Sequence, residues 1–363
     1  MAARPGPPSI KNPSRPMTTR FPIKEIALQA GLGTATVDRV LNGRGGVRPE
    51  TAERVRNALR DLEAQAGQLA LVGQRFMVDL LVEAPQSFLD ELEVALWTEL
   101  PLMQPAVFRI RSDLRTRFPV AQLAHALQRA ERLGSHGVIL MAADAADLRA
   151  RIAALEAADV PVVTLASDMP GSARSAYVGL DNARAGATAA WLISQRHDAG
   201  SAPPRVLVTL RNAGFRGEGE RAEGFRLAMS GRHPGADISV MVEGRSGADF
   251  AARVATAAAG GCDALYSIGG GNRRLLAALA AAGVRVPLFV AHDLDADNRA
   301  LMASGELDAI LYHDLSEDIR TACRVILARA SRGAMPAPPD GAVLRVMLPP
   351  MLDALREEKG ALP

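Results

Sequence analysis

Residues Gly31 to Glu50 read GLGTATVDRVLNGRGGVRPE, with five glycines among their first sixteen positions. A G-x-G opening can cradle a nucleotide phosphate on backbone amides, or it can punctuate a short helix that reads DNA. The phosphate loop needs a strand before its first glycine, and then either a third glycine at fixed spacing or a Lys-Ser/Thr pair. Here Gly31 follows IKEIALQA, whose Ile23, Ile26, Ala27 and Ala30 share one helical face, and neither completion is present. The context selects the helical reading.

Working outward, Pro22 suits the first turn of that helix, and Gly31-Leu32-Gly33 breaks it. A second short helix, about Thr34 to Leu41, turns Val37, Val40 and Leu41 inward and Thr34, Ala35, Asp38 and Arg39 outward. Asn42 to Val47 is a loop, and Pro49-Glu50 opens a third helix carrying Val55, Leu59 and Leu62 on one face. This is a helix-turn-helix pattern. Thr34 and Ala35 suit a thymine methyl or close approach in the major groove, and Arg39 can reach guanine O6 and N7 as a fork. Thr36, Arg44, Arg48 and Thr51 stand where phosphates would be met.

Charge distribution agrees. Residues 1–75 hold 12 Lys and Arg against 6 Asp and Glu, a net +6, while the remainder holds 30 against 34, a net −4. A basic head on a mildly acidic body points to a polyanion partner for the head alone. Residues 1–19, with prolines at 5, 7, 8, 13 and 16 and little to bury, are expected to be a disordered extension. That N-terminus has no apolar core of a secretory signal, and no apolar run is long enough to cross a bilayer, so a cytoplasmic protein is expected. Cys262 and Cys323 are too few for a disulfide framework and read as free thiols.

Past a variable segment ending at Arg75, apolar runs alternate with amphipathic helical stretches. The runs are FMVDLLVE, AVFRI, GVILMAA, VPVVTLA, RVLVTL, ISVMVE, ALYSIG, VPLFVAHD and AILYHD. Continuous apolar strands between helices indicate α/β architecture with parallel sheets covered on both faces. Nine such strands suit two doubly wound lobes better than one.

The stretch KEIALQAGLGTATVDRVLNGRGGVRPETAERV resembles the DNA-binding domain of the lactose-repressor (LacI/GalR) family. Glu25-Ile26-Ala27, Ala30-Gly31, Thr36-Val37, Arg39-Val40-Leu41-Asn42, Val47, Thr51 and Val55 stand in register with its signature. The resemblance implies a dimeric, sequence-specific repressor-type regulator in which Thr34, Ala35 and Arg39 read bases and Asn42 belongs to the DNA-binding set. Gly33 stands where the family has a helix-capping Ser, and Asp38 where it has a second Ser. Asp38 is expected to pair with Arg39 or to accept from a cytosine amine. The family's hinge is replaced by EAQAGQLALVGQ, where Leu69 is the candidate minor-groove wedge.

Residues from about Phe76 to Ala330 resemble the effector domain of that family and ribose-type periplasmic binding proteins, through PVVTLASDMP, YVGLDNARAG, GERAEGF, VAHD and HDLSEDI. The resemblance implies a ligand cleft between two lobes, with Phe88, Asp168, Arg221, Asn272, Asp293 and Asp314 as candidate ligand residues. Asp293 and Asp314 would accept from hydroxyls, Arg221 would donate as a fork, and Phe88 would offer an apolar face, a set suited to a sugar or polyol. Each has a structural alternative: Asp293 as a helix cap, Arg221 paired with Glu218, Phe88 as core. The glycines of SIGGGNRRLLAAL, with Arg273 or Arg274, could instead hold the anionic group of a sugar phosphate.

The expected organisation is an extension over 1–19, a helix-turn-helix domain over 20–65, a linker over 66–75, a two-lobed effector and dimerisation domain over 76–350, and a tail over 351–363. The expected protein is a transcriptional regulator binding pseudo-palindromic operator DNA as a homodimer, with a tetramer as the alternative assembly. No cofactor, catalytic residue or membrane partner is expected. His292-Asp293 and His313-Asp314 could form a metal cluster if their strands adjoin, but hydrogen bonding to a neutral ligand accounts for them more economically. The competing reading is a sugar-binding module or sugar-acting enzyme with a vestigial head.

Overall fold

The computed structural model describes residues 19–197, 202–212, 214–244, 249–330 and 341–352. The expected N-terminal extension and C-terminal tail lie almost wholly outside these residues. The chain divides into two compact units near Gln74.

The first unit holds α1 (Ile23–Ala30), α2 (Thr34–Leu41) and α3 (Pro49–Ala70). Its core is drawn from one face of each helix: Ile26, Ala27 and Ala30, then Val37 and Leu41, then Val55, Ala58 and Leu62. Gly31 ends α1 in the left-handed conformation (φ 60°), its amide turned back to the carbonyls of Ala27 and Leu28. Arg54 on α3 donates to the carbonyls of Ala30 (2.7 Å) and Gly31 (3.2 Å), fastening the turn that sets α2 against α1. α3 runs on to Ala70, so half of the segment expected as a linker is helical.

The second unit contains two sheets. The first lobe is built from β1 (Arg75–Glu83), α4 (Gln86–Glu99), β2 (Val107–Arg115), α5 (Val120–Arg132), β3 (Gly137–Met141), α6 (Ala146–Ala157), β4 (Val162–Leu165) and β5 (Ala176–Val178). Its strands are all parallel in the order β2-β1-β3-β4-β5. The second lobe holds α7 (Asn182–Ser194), β6 (Arg205–Leu210), α8 (Arg216–Arg232), β7 (Asp237–Val242), α9 (Phe250–Ala259) and β8 (Ala264–Ser267). It continues with α10 (Asn272–Ala281), β9 (Phe289–His292), α11 (Ala296–Ala303) and β10 (Ala309–Tyr312). The chain then returns α12 (Leu315–Ala330) to the first lobe, against α4, β4 and β5, before β11 (Arg345–Met347) closes the second sheet antiparallel to β10. The order there is β11-β10-β9-β8-β6-β7. All nine expected strands are present and parallel within their own sheets, and helices pack on the sheets.

The chain passes between the lobes after β5, after β10 and again before β11, where the Ala342 amide donates to the Gly179 carbonyl (2.8 Å) beside the first crossing. The strands of both lobes end at the space between them. α7 and α8 approach each other through glycine: a Cβ on Gly186 would overlap the Arg221 carbonyl, and one on Gly224 the Ala183 carbonyl. That contact fixes the height at which α8 carries Arg221.

Candidate DNA-reading face and effector cleft

On α2, Thr34, Ala35 and Arg39 are exposed, Thr36 is half-buried, and Val37 and Leu41 anchor the helix from behind. Gly33 holds the N-cap position in extended conformation without a side-chain cap, so the first amides of α2 are left to an outside acceptor. The Asp38 carboxylate accepts from Asn42 Nδ2 (2.8 Å) and from Arg44 (2.8 Å), not from Arg39. The acid thus holds two of the expected DNA residues in place, and Arg39 has no acidic partner among the described residues. Arg48 is exposed and Thr51 half-buried at the start of α3, while Leu69 is 73% exposed near its end.

In the second unit a cleft lies at the C-terminal ends of the strands of both lobes, the position a doubly wound sheet reserves for ligands. From the first lobe, Phe88 on α4 lines it, with Ser167 beyond β4. From the second lobe come Arg221 on α8, His292 and Asp293 at the end of β9, and His313 at the crossing after β10. Arg221 is buried, and its Nε donates to Asn182 Oδ1 (2.8 Å), which orients the guanidinium while leaving its terminal nitrogens for the cleft. Asp293 adopts a left-handed backbone (φ 69°), and its neighbour Asp295 caps α11 by accepting from the Asn298 amide (2.8 Å). The capping role open to Asp293 is therefore filled two residues later, and no side-chain bond ties up its carboxylate among the described residues.

Tyr266 and His292 form a buried pair, O to Nε2 2.6 Å. Because the imidazole is the only acceptor offered to the buried Tyr266 hydroxyl among the described residues, we assign Nε2 as acceptor and Nδ1 as the protonated nitrogen. Burial, with Arg221 and His313 nearby, holds His292 well below the usual histidine range, so it is neutral. Its Nδ1 is buried without a partner among the described residues, as is Ser167 Oγ. For His313 burial acts downward, but the Asp318 carboxylate bonded to Nδ1 outweighs it and the net shift is upward. Glu218, which accepts from the amides of Arg211 (2.7 Å) and Asn212 (3.2 Å), is pushed up by burial.

The structure brings Phe88, Arg221 and Asp293 together and places the other three expected residues elsewhere. Asp168 is bound by Arg174, Thr164 Oγ1 (2.9 Å) and its own following amide. The cause lies two residues earlier, where Ala166 (φ 55°) forms a γ-turn with the Ser167 amide on the Leu165 carbonyl. The turn delivers Ser167 to the cleft and sends Asp168 back over the lobe. Asn272 donates to Asn298 Oδ1 (2.7 Å) and ties α10 to α11. Asp314 accepts from the Ser316 amide (3.0 Å) and from Arg345, capping α12. Arg273 and Arg274, considered for an anionic ligand group, pair with Asp297 and Glu243 instead (2.5 and 2.8 Å). Sequence reasoning missed Ser167, whose only signal was its position just past a strand, and named Glu218 only as a partner for Arg221. Although β9 and β10 adjoin, His292 and His313 are engaged with Tyr266 and Asp318. Among the described residues no group of three or more His, Cys, Asp or Glu is arranged to hold a metal.

Among the described residues no helix is long and apolar enough to cross a membrane. Residues 118–334 match the periplasmic binding protein domain family, and residues 22–63 match the lacI family of bacterial regulatory proteins. No curated protein matches the chain. Among solved structures, GanP, a glucose-galactose binding protein from Geobacillus stearothermophilus, is 16% identical with TM-score 0.65, covering 76% of this chain and 98% of its own. A carbohydrate transporter from Acidothermus cellulolyticus 11B in complex with myo-inositol is 15% identical with TM-score 0.65, covering 78% and 98%. The transcriptional regulator CelR in complex with cellobiose is 20% identical with TM-score 0.58, covering 91% and 99%. At these identities the likeness speaks to the fold, whereas the matched families speak to descent. With a helix-turn-helix head and a two-lobed body each matched by its own family, the chain belongs to the lacI family of bacterial regulatory proteins, its effector domain built as a periplasmic binding protein domain.

Proposed function

We propose that the protein is a repressor that binds a pseudo-palindromic operator as a homodimer and changes its grip on DNA when an uncharged sugar or polyol occupies the cleft. Thr34, Ala35 and Arg39 read bases, while Thr36, Arg44, Arg48 and Thr51 meet phosphates, with Asn42 and Arg44 steadied by Asp38. Leu69 is the apolar side chain available to a minor groove. The observation that carries the effector reading is that two buried polar atoms without a partner among the described residues, Ser167 Oγ and His292 Nδ1, line one cleft with Arg221 and Asp293. Buried polar groups demand partners, and ligand hydroxyls supply both donors and acceptors.

A neutral ligand is favoured over a sugar phosphate because Asp293, Asp295 and Glu218 face the same cleft, and Arg273 and Arg274 are engaged outside it. The solved structures of similar fold that hold myo-inositol and cellobiose point the same way. Control by ligand follows from differential affinity: a ligand bridging both lobes favours the closed arrangement, and the heads of a dimer are held accordingly. This role needs binding alone and no turnover.

The test is enrichment of DNA from a random pool by the full-length protein, followed by titration of the enriched site with sugars and polyols. A recovered palindrome whose binding shifts with a neutral sugar, and whose guanine preference is lost in Arg39→Ala, supports the reading. Enrichment of no sequence, or consumption of a sugar by the protein, would overturn it.

A further inference from the structure

Beside the cleft, past Phe215 and Glu218, lies a second cavity, whose further walls are Glu83, Ala84, Thr116, Arg211 and Asn212. Pro85, Met141, Phe215 and Glu218 line both cavities, so the two adjoin. The second lies at the ends of β1, β2, β3 and β6, toward the sheet edges formed by β2 and β7. Glu83, Thr116, Arg211 and Asn212 have no role in the site described above.

Three features define what would fit. The half-buried Arg211 side chain has no hydrogen-bond or ion-pair partner among the described residues, and Asn212 uses its Oδ1 on the Gly214 amide (2.9 Å) while its amide nitrogen is unengaged there. Phe215, Met141 and Pro85 supply an apolar wall. Glu83 and Glu218 flank the one arginine, so the local charge does not favour a phosphate or carboxylate. An apolar wall opposite donors and acceptors, with no excess of positive charge, matches the two-sided surface of a second sugar ring.

We propose that the effector is a saccharide of at least two rings, one seated among Arg221, Asp293 and His292 and the next on Phe215, with Arg211, Asn212 and Thr116 bonding its hydroxyls. This rests on the reading of the cleft as a sugar site. The two cavities adjoin, so a ligand of two rings would reach both, and Arg211 then distinguishes a disaccharide from its component monosaccharide.

The experiment is calorimetry on the full-length protein with matched sugars: glucose, galactose and xylose against maltose, cellobiose, lactose and xylobiose. At least one disaccharide is expected to bind about tenfold or more tightly than its components, as one charge-assisted hydrogen bond would give. Arg211→Ala should remove that advantage while leaving monosaccharide binding within about twofold, and Arg221→Ala should weaken both. Thr116→Trp, at an exposed position that tolerates bulk, should block the disaccharide alone and serves as the control should Arg211→Ala fold poorly. A monosaccharide that binds as tightly as every disaccharide, or an Arg211→Ala variant that weakens both lengths equally, overturns the second subsite while leaving the sugar reading intact. Binding of no sugar of either length overturns the sugar reading and the proposal with it.

Discussion

His292 and His313 share the floor of one cleft, and their titration is shifted in opposite directions. Burial keeps His292 neutral in the fold, whereas Asp318 raises His313 despite its burial. An unfolded histidine titrates near about 6.5. Below that value the unfolded chain takes up a proton at position 292 that the folded chain refuses, so stability falls as pH falls. The proton on His313 stabilises the fold fully below the same value, and its contribution is lost as pH rises through the raised folded value. Denaturant unfolding between about pH 5 and 9 should therefore give an alkaline decline that His313→Gln lacks, with the acid decline retained. An alkaline limb unchanged in the variant would show that Asp318 does not hold a proton on His313.

Elements set what the residues can do, and the α7–α8 contact is the sharpest case. Replacing Gly224 with Ala would drive a methyl into the Ala183 carbonyl, and the helices must separate to admit it. Overpacking of this kind costs about 1–3 kcal/mol, and the shift carries Arg221 with it. Gly224→Ala should thus lower the melting temperature and weaken effector binding together. A loss of stability with unaltered affinity would mean that the contact does not position Arg221.

How far the sequence reveals these elements depends on how much of each is recorded as pattern. The central strands among the nine announce themselves because a strand covered on both faces has to be apolar throughout. β5 and β11 have three residues each and lie at sheet edges or near them, too short for a period to register. Arg221 and Asp293, singled out by motif, stand at the cleft, whereas Asp168, Asn272 and Asp314 are engaged away from it, because an acid or amide between a strand and a helix has two uses, ligand contact and helix cap or tie. The choice is made by backbone: by the left-handed turn at Ala166 and by Asp295 capping α11, neither of which composition records.

At the scale of the effector domain, the two lobes touch across the cleft mouth as well as through their crossings. Arg299 on α11 forms a two-pronged pair with Glu91 on α4 (2.9 and 3.2 Å), and Ser87 bonds Asp295 nearby. Neither Glu91 nor Arg299 lines the cleft, yet their pairing favours the arrangement with the lobes together. Arg299→Ala should weaken effector binding severalfold, discounted for the partial exposure of the pair, while a salt titration should weaken the native protein toward the variant. Equal affinity of the two proteins at low salt would show that closure does not draw on this pair.

The return of α12 to the first lobe has a consequence for the order in which the protein is made. The inner face of α12 packs on strands finished far earlier, with Ile326 filling the space that Gly137 leaves open and Arg320 pairing with Glu99. A chain growing from the ribosome therefore cannot complete its first lobe until Ala330 has emerged, by which time the second lobe is almost entirely synthesised. The helix-turn-helix core needs only residues 26 to 62 and is free to close at once. Translation thus produces a DNA-binding head well before the domain that governs it, and the apolar bed awaiting α12 is the surface a chaperone would have to shield in the interval.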